Sequence, residues 1–269
     1  MSTTGLMRLN AGDRYRAGDT PLHRLDPRVK LVVALVLIVG IVLTPIRALP
    51  AYPLLWALVA SLAIVGHVGV WRLARLGGIA LPFALAGLTL LFTTPGQPIA
   101  TINGLTISDA GALRFASLLI KSWLAVQVSI LLSKTTPFTD LLWALQSLGV
   151  PATLVLITAF LYRYLFTLND EADRLRKARA ARSARGEHGR GGGRLMWRAQ
   201  VAGGMIGSLF LRSTERSERV YAAMLARGFT GQLRIADPPP LSWRAALPGL
   251  LPLLGLAIIE GLALLWWNG

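Results

Sequence analysis

Cysteine is absent from all 269 residues. That excludes disulfides, thiolate metal sites and cysteine nucleophiles. Acids are scarce, with 13 Asp and Glu against 28 Lys and Arg, and the only imidazoles are His23, His67 and His188. A metal site needs several ligands converging at suitable spacing, whereas these three lie in a polar arm, near a helix end and in a basic loop. No Ser-His-Asp set or carboxylate pair can be assembled, so no catalytic residue and no metal ligand is assigned. Charge as a whole is low, at 15%, against 54% hydrophobic residues and a mean hydropathy of +0.54. These values point to an integral membrane protein. The first apolar run is followed by no small-residue cleavage site, so it reads as a retained span and not a secretory leader.

The net charge of +15 raises the question of nucleic acid. The basic residues sit between apolar spans, where retention of positive loops in the cytoplasm explains them better. Residues 170–194 also contain no aromatic side chain on which a base could stack. No nucleic-acid partner is expected; the lipid bilayer is.

Residues 1–28 form a polar, basic arm with Arg8, Arg14, Arg16, Arg24 and Arg28. Four apolar stretches follow, at roughly 29–46, 50–68, 78–94 and 111–133, each near the length a bilayer-crossing helix needs. Pro45 and Pro50 mark the first turn, Arg72 and Arg75 the second, and the third connection, 93–111, has no Lys or Arg. With the arm in the cytoplasm, the connections alternate outside, inside, outside, and the charges agree except for Arg47. Beyond the fourth span, Thr136 as N-cap and Pro137 at the first helical position open a short amphipathic helix with a Leu141, Leu142, Leu145, Leu148 stripe, ending near Gly149. It is expected at the cytoplasmic membrane surface.

Residues 152–168 are apolar but short, and Tyr162-Arg163-Tyr164 interrupts them. The segment 170–234 holds fourteen Lys and Arg against six acids, which belongs inside. The reading is therefore one long helix, 152–185, whose apolar half packs under the membrane part without crossing. The glycine break 189–193 lacks the Gly-Lys-Ser/Thr of a phosphate loop. A second long helix, 195–227, is apolar over 201–211 and then polar, with Glu215 and Arg219 as a favourable i,i+4 pair. Asp237-Pro238-Pro239-Pro240 breaks the chain before a last span, 246–267, ending in the interfacial pair Trp266-Trp267. The expected class is an all-α integral membrane protein with about five transmembrane helices and three cytoplasmic ones; six transmembrane helices is the alternative. The expected regions are 1–28, the four-helix part 29–133, a cytoplasmic domain 134–245 and the last helix 246–269.

One phrase occurs twice in the basic segment. Ala180-Ala181-Arg182-Ser183-Ala184-Arg185-Gly186 returns as Ala222-Ala223-Met224-Leu225-Ala226-Arg227-Gly228. Each copy reads as a helix end: alanines favour the helix, and a glycine at C′ takes φ > 0 and stops it. The arginine before the stop suits the negative end of the helix dipole. Two such tips suggest a paired docking device.

These motifs resemble the transmembrane T-component of energy-coupling factor transporters, and within it the CbiQ cobalt-transport permease family. The resemblance rests on Leu25-Asp26-Pro27-Arg28-Val29-Lys30-Leu31, on Thr136-Pro137 with Leu141-Leu142-x-Ala144-Leu145, on Gly207-Ser208-Leu209-Phe210-Leu211-Arg212-Ser213 with the run from Glu215 to Tyr221, and on the paired Ala-Arg-Gly motifs. It implies a non-enzymatic subunit of a cobalt importer in the bacterial inner membrane. The three cytoplasmic helices would be coupling helices, with Ala184, Arg185, Gly186 and Ala226, Arg227, Gly228 docking two ABC ATPase subunits similar to CbiO. Leu141, Leu142, Leu145, Leu209 and Phe210 would serve the coupling helices and a substrate-capturing S-component similar to CbiM, with a small CbiN-like partner. The resemblance implies no cofactor in this chain: ATP and magnesium belong to the ATPase, and cobalt or nickel to the S-component. Nickel or a vitamin as cargo stays open, as does which motif dominates. A membrane enzyme acting on phosphorylated lipids would need acids or histidines clustered at a membrane interface, and the sequence offers none. Among intramembrane charges, Lys121 and Glu260 are a possible pair, while Arg114 is near enough to a helix end to snorkel.

The topology is open to direct test in a cysteine-free chain. Single cysteines at Ser183 and Asn268, treated with an impermeant thiol reagent on intact cells, should label at 268 and not at 183. Labelling at 183 and not at 268 would sink the five-span arrangement.

Overall fold

Asp26 and Pro27 start the first long helix as their chemistry dictates. The Asp26 carboxylate accepts from the Arg28 amide at 2.8 Å, and Pro27 needs no amide partner in the first turn. The computed structural model describes residues 18, 20–80, 82, 87–102, 105–182, 195–231 and 243–266. In chain order these give α1 (Pro21–Arg24), α2 (Pro27–Leu43), α3 (Ala51–Val65), α4 (Val70–Leu76), a 3₁₀ turn (Gly77–Ala80), α5 (Leu90–Thr93), β1 (Pro98–Ile102), β2 (Leu105–Ser108), α6 (Asp109–Thr135), α7 (Phe138–Ser147), α8 (Ala152–Arg182), α9 (Leu195–Ala226) and α10 (Trp243–Trp266). Two compact units result: Met1–Leu148 with Pro239–Gly269, and Gly149–Pro238.

In the first unit, α2 and α10 pack on each other and each packs on a further helix, α6 for α2 and α3 for α10. Buried side chains recur at helical spacing: Ala34, Leu37 and Ile41 on α2, and Leu55, Val59 and Ala63 on α3. Leu124, Val128 and Leu131 of α6 and Leu256, Ile259 and Ala263 of α10 complete this core. Glycines let the backbones approach, as small residues do between membrane helices. A Cβ on Gly40 would lie 2.7 Å from a Leu256 methyl, and one on Gly249 would collide with the branched side chain of Val29.

Helix ends are closed by side chains. The Lys30 ammonium donates to the carbonyls of His23 in α1, at 3.0 Å, and Thr135 at the end of α6, at 3.2 Å. At the other end of α2, Lys121 donates to the Val42 and Thr44 carbonyls at 2.9 and 2.7 Å. Trp123 stacks near Trp56, with centroids 6.4 Å apart, and donates to the Ala74 carbonyl.

The helical class holds, with one departure. The connection without Lys or Arg folds as an antiparallel hairpin, pairing Ala100 with Ile107, Thr101 with Thr106 and Ile102 with Leu105. Two details also differ. Thr136 does not cap α7: its hydroxyl is buried with no hydrogen-bond partner among the described residues, its amide closes α6 on Leu132, and Pro137 takes the N-cap position. The expected third span, 78–94, contains the 3₁₀ turn and α5, while its residues 81 and 83–86 lie outside the described residues. Residues 1–17, the glycine break, residues 237–240 and Trp267 lie outside them as well.

Among the described residues, three helices are long and apolar enough to cross a membrane: α6, α8 and the stretch Leu247–Leu265 of α10. α3 is apolar but shorter. Helix α8 thus qualifies by length and composition, although charge placement reads it as non-crossing.

The Gly249 approach has a measurable counterpart. Gly249→Leu should lower stability in detergent by about 1–3 kcal/mol, the usual penalty for overpacking. Gly261→Leu, where a Cβ meets nothing within 4 Å among the described residues, should stay within about 0.5 kcal/mol. Equal thermal-unfolding midpoints for the two variants would refute the close packing of α10 on α2.

Candidate functional site

The second unit is built almost wholly from α8 and α9, which pack against each other. Arg212 meets Glu171 at 2.7 Å, and the Arg179 guanidinium lies 5.7 Å from the centre of the Trp197 ring. Late residues of one helix therefore face early residues of the other, and the two run in opposite directions. The Arg212–Glu171 contact is the stronger anchor, because the Glu171 side chain is largely covered, whereas Glu215 and Arg219 stand 3.9 Å apart and both exposed. The expected i,i+4 pair is thus present but worth little.

Between the helices lies an open apolar groove of about 780 Å³. Leu156, Phe160 and Tyr164 line it from α8, Val220 and Met224 from α9, and Phe229 from beyond the helix end. Ser213, Thr214, Ser217 and Arg216 add a polar edge.

The end of α9 has the geometry that its sequence requires. Gly228 sits at φ 79°, its amide donates to the Leu225 carbonyl at 2.9 Å, and the Phe229 amide reaches back to Met224 at 3.0 Å. This is a Schellman motif with glycine at C′, and Met224 and Phe229 are its hydrophobic pair. Arg227 is left exposed beside the helix terminus. The first copy begins on α8, which runs to Arg182; Ala184, Arg185 and Gly186 lie outside the described residues.

The other expected residues separate. Phe210 is 67% exposed and Leu209 half-buried on α9. Leu142 is only 5% exposed, and Leu141 and Leu145 are half-buried, on a helix that packs against α2. Lys121 and Glu260 meet through a third residue: the Thr44 hydroxyl donates to the Glu260 carboxylate at 2.6 Å, while the Thr44 carbonyl accepts from Lys121. Arg114 is exposed near the start of α6. His23 bonds Thr20 through Nδ1 at 2.6 Å, His67 is an exposed turn residue at φ 52°, and His188 lies outside the described residues. Among the described residues no three His, Asp or Glu side chains gather as a metal site would require. Sequence reasoning missed the Arg212–Glu171 link, which has no local spacing to reveal it, and the use of Thr44 as a bridge.

The chain thus combines a helical unit holding apolar helices of membrane length with a pair of long helices that carry much of its basic charge. The chain belongs to the CbiQ family, described as cobalt transport protein, which matches residues 18–237. It is 30% identical to an energy-coupling factor transporter transmembrane protein EcfT of Listeria innocua, over 94% of this chain and 96% of that one. It is also 30% identical to the cobalt transport protein CbiQ of Rhodobacter capsulatus, over 68% of this chain and 73% of the relative. A putative fused cobalt transport protein CbiMQ of Methanocorpusculum labreanum matches 91% of this chain with 41% of its own length, at 26% identity.

The Schellman end can be probed by hydrogen exchange. Gly228→Ala puts a Cβ into the left-handed region, at a cost of about 1 kcal/mol. Exchange at the Phe229 amide should rise several-fold, while amides near Arg212 stay protected. An unchanged Phe229 amide would mean that glycine is not needed at this stop.

Proposed function

We propose that this chain is the T-component of an energy-coupling factor importer for cobalt, transmitting ATP-driven movement of two ABC ATPase subunits to a substrate-capturing S-component. The observation that carries the reading is the helix tip at Ala226-Arg227-Gly228, an exposed guanidinium on a Schellman-closed helix, whose sequence is repeated at Ala184-Arg185-Gly186. An arginine fork suits a groove lined with backbone carbonyls or carboxylates, because it binds in two directions at once. The tips dock the ATPases, and the long helices act as levers in a rigid-body or shear movement. Leu141, Leu142, Leu145, Leu209 and Phe210 serve the coupling helices and the S-component. The chain holds no cofactor and hydrolyses no ATP; those belong to the partners, and metal belongs to the S-component. The arrangement is five-spanning, N-terminus inside, in the bacterial inner membrane.

Cobalt is supported by the family's description and by the names of the CbiQ and CbiMQ relatives. A general energy-coupling module with another cargo has its own support: the EcfT relative, whose name carries no substrate, aligns over more of the chain than CbiQ does.

Charge reversal at both Arg185 and Arg227 should abolish co-purification of the ATPase subunits while the S-component stays bound, since removing one partner of a buried charged contact costs about 2–5 kcal/mol. Arg→Lys should rescue in part, lacking the planar fork. Reversal at Arg190 in the glycine break should be nearly silent. If the double reversal leaves ATPase binding and Co²⁺ uptake intact and Arg190 matters equally, the repeated motifs are helix stops only.

A further inference from the structure

The Asp26-Pro27-Arg28-Val29-Lys30 segment opens α2, yet neither basic side chain follows the pattern of a retained positive flank, which would leave it in water. Lys30 is buried, with its ammonium on the carbonyls of His23 and Thr135. Arg28 is half-buried and its guanidinium carbon lies 4.3 Å from the centre of the Trp143 ring, in the middle of α7. Two residues apart on a helix, the side chains leave α2 about 200° apart, so they hold different things. Thr135 is the last residue of α6, and only Thr136 and Pro137 separate it from α7. Lys30 thus fixes the entry to α7, and Arg28 fixes its centre. Asp26 and Asp140, the latter in the first turn of α7, are the carboxylates whose charges act on Lys30.

Helix α7 needs such a hold. It has ten residues, too few for a stable isolated helix. Pro137 offers no side-chain cap, and its buried residues are only Leu142 and Ala144. A guanidinium over an indole, half withdrawn from water, is a directional contact that slippage along α2 would break.

We propose that Arg28 and Lys30 are positioning residues that clamp α7 to the first membrane helix at two points, so that α7 moves with the membrane unit. The clamp stands on this geometry; its consequence for transport rests on the T-component reading, in which α7 is a coupling helix. A load applied to α7 is then delivered directly to α2.

The cysteine-free chain allows a local readout in the full-length protein, in native membranes with its partner subunits. Ala144 is 0% exposed on α7 and Ala263 0% exposed on α10. Ala144→Cys should react slowly with a maleimide, and Arg28→Ala, Lys30→Met or Trp143→Ala should each raise its rate at least roughly tenfold, as local opening does. Trp143→Phe and Arg28→Lys, which keep a cation over a ring, should restore most of the protection. Ala263→Cys should stay unreactive in every variant. The clamp is refuted if the thiol placed at position 144 reacts no faster in these variants. It is refuted equally if the thiol at position 263 opens together with it, since the residues would then hold the whole unit and not α7. Co²⁺ uptake supplies the second arm: it should fall at least roughly tenfold in Arg28→Ala while the ATPase subunits still co-purify, and recover with Arg28→Lys. Unchanged uptake alongside a fast-reacting thiol at position 144 would overturn the transport consequence. Failure of the unmodified complex to take up Co²⁺ would overturn the cobalt reading and leave the thiol result standing.

Discussion

Every α-helix ends with carbonyls that have no donor within the helix, and where water is excluded that deficit must be met by the protein itself. The first unit meets it with two ammonium groups at opposite ends of α2. Lys121 comes across from α6 to the carbonyls that end α2, and Lys30 reaches from α2 to those of α1 and α6. In each case the donor belongs to a neighbouring helix, so satisfying the carbonyls also sets which helices lie side by side. Thr44 extends the device, since its carbonyl takes Lys121 while its hydroxyl reaches Glu260 on α10. A charge partly withdrawn from water is better tolerated when it is hydrogen-bonded, and here one threonine links two half-buried charges of opposite sign.

The two units are held by different physics. The first has interlocking apolar stripes, glycine contacts and closed helix ends. In Gly149–Pro238, Val155 is the single buried residue among those described, and the helices are joined by Arg212–Glu171, Arg179–Trp197 and scattered apolar contact. On the proposed reading this is what a lever requires, because its large faces remain free for the subunits it joins.

Much of this was legible in the sequence. Helix α2 covers most of the first apolar stretch, though it starts at Pro27 inside the expected arm; α6 fills the fourth stretch, and Gly228 takes the positive φ that a glycine stop demands. The hairpin has a sequence signal in Asn103-Gly104, which lies between Ile102 and Leu105 and is the pair that two-residue turns prefer, but its strands are too short to stand out against apolar stretches of membrane length. Thr136-Pro137 reads as a helix start because Thr-Pro is a common one, but tertiary burial takes the Thr136 hydroxyl out of a capping role. Lys30 and Arg28 read as a flank because sequence shows charge and not direction, and only packing reveals that they point inward. The Glu171–Arg212 link joins positions far apart in the chain, beyond any local rule. Charge placement and hydropathy pull in opposite directions over α8, since one weighs its basic flank and the other its apolar first half.

The sparse burial of the two long helices bears on the life of the subunit before assembly. By itself the subunit leaves uncovered an apolar groove and side chains including Phe210, Ile206 and Leu211, the kind of surface that aggregates when left open. Chaperones and proteases read the same surface. On the proposed reading, copies without partner subunits to cover this surface would be the ones open to clearance, and subunit balance would be a matter of quality control as well as of synthesis.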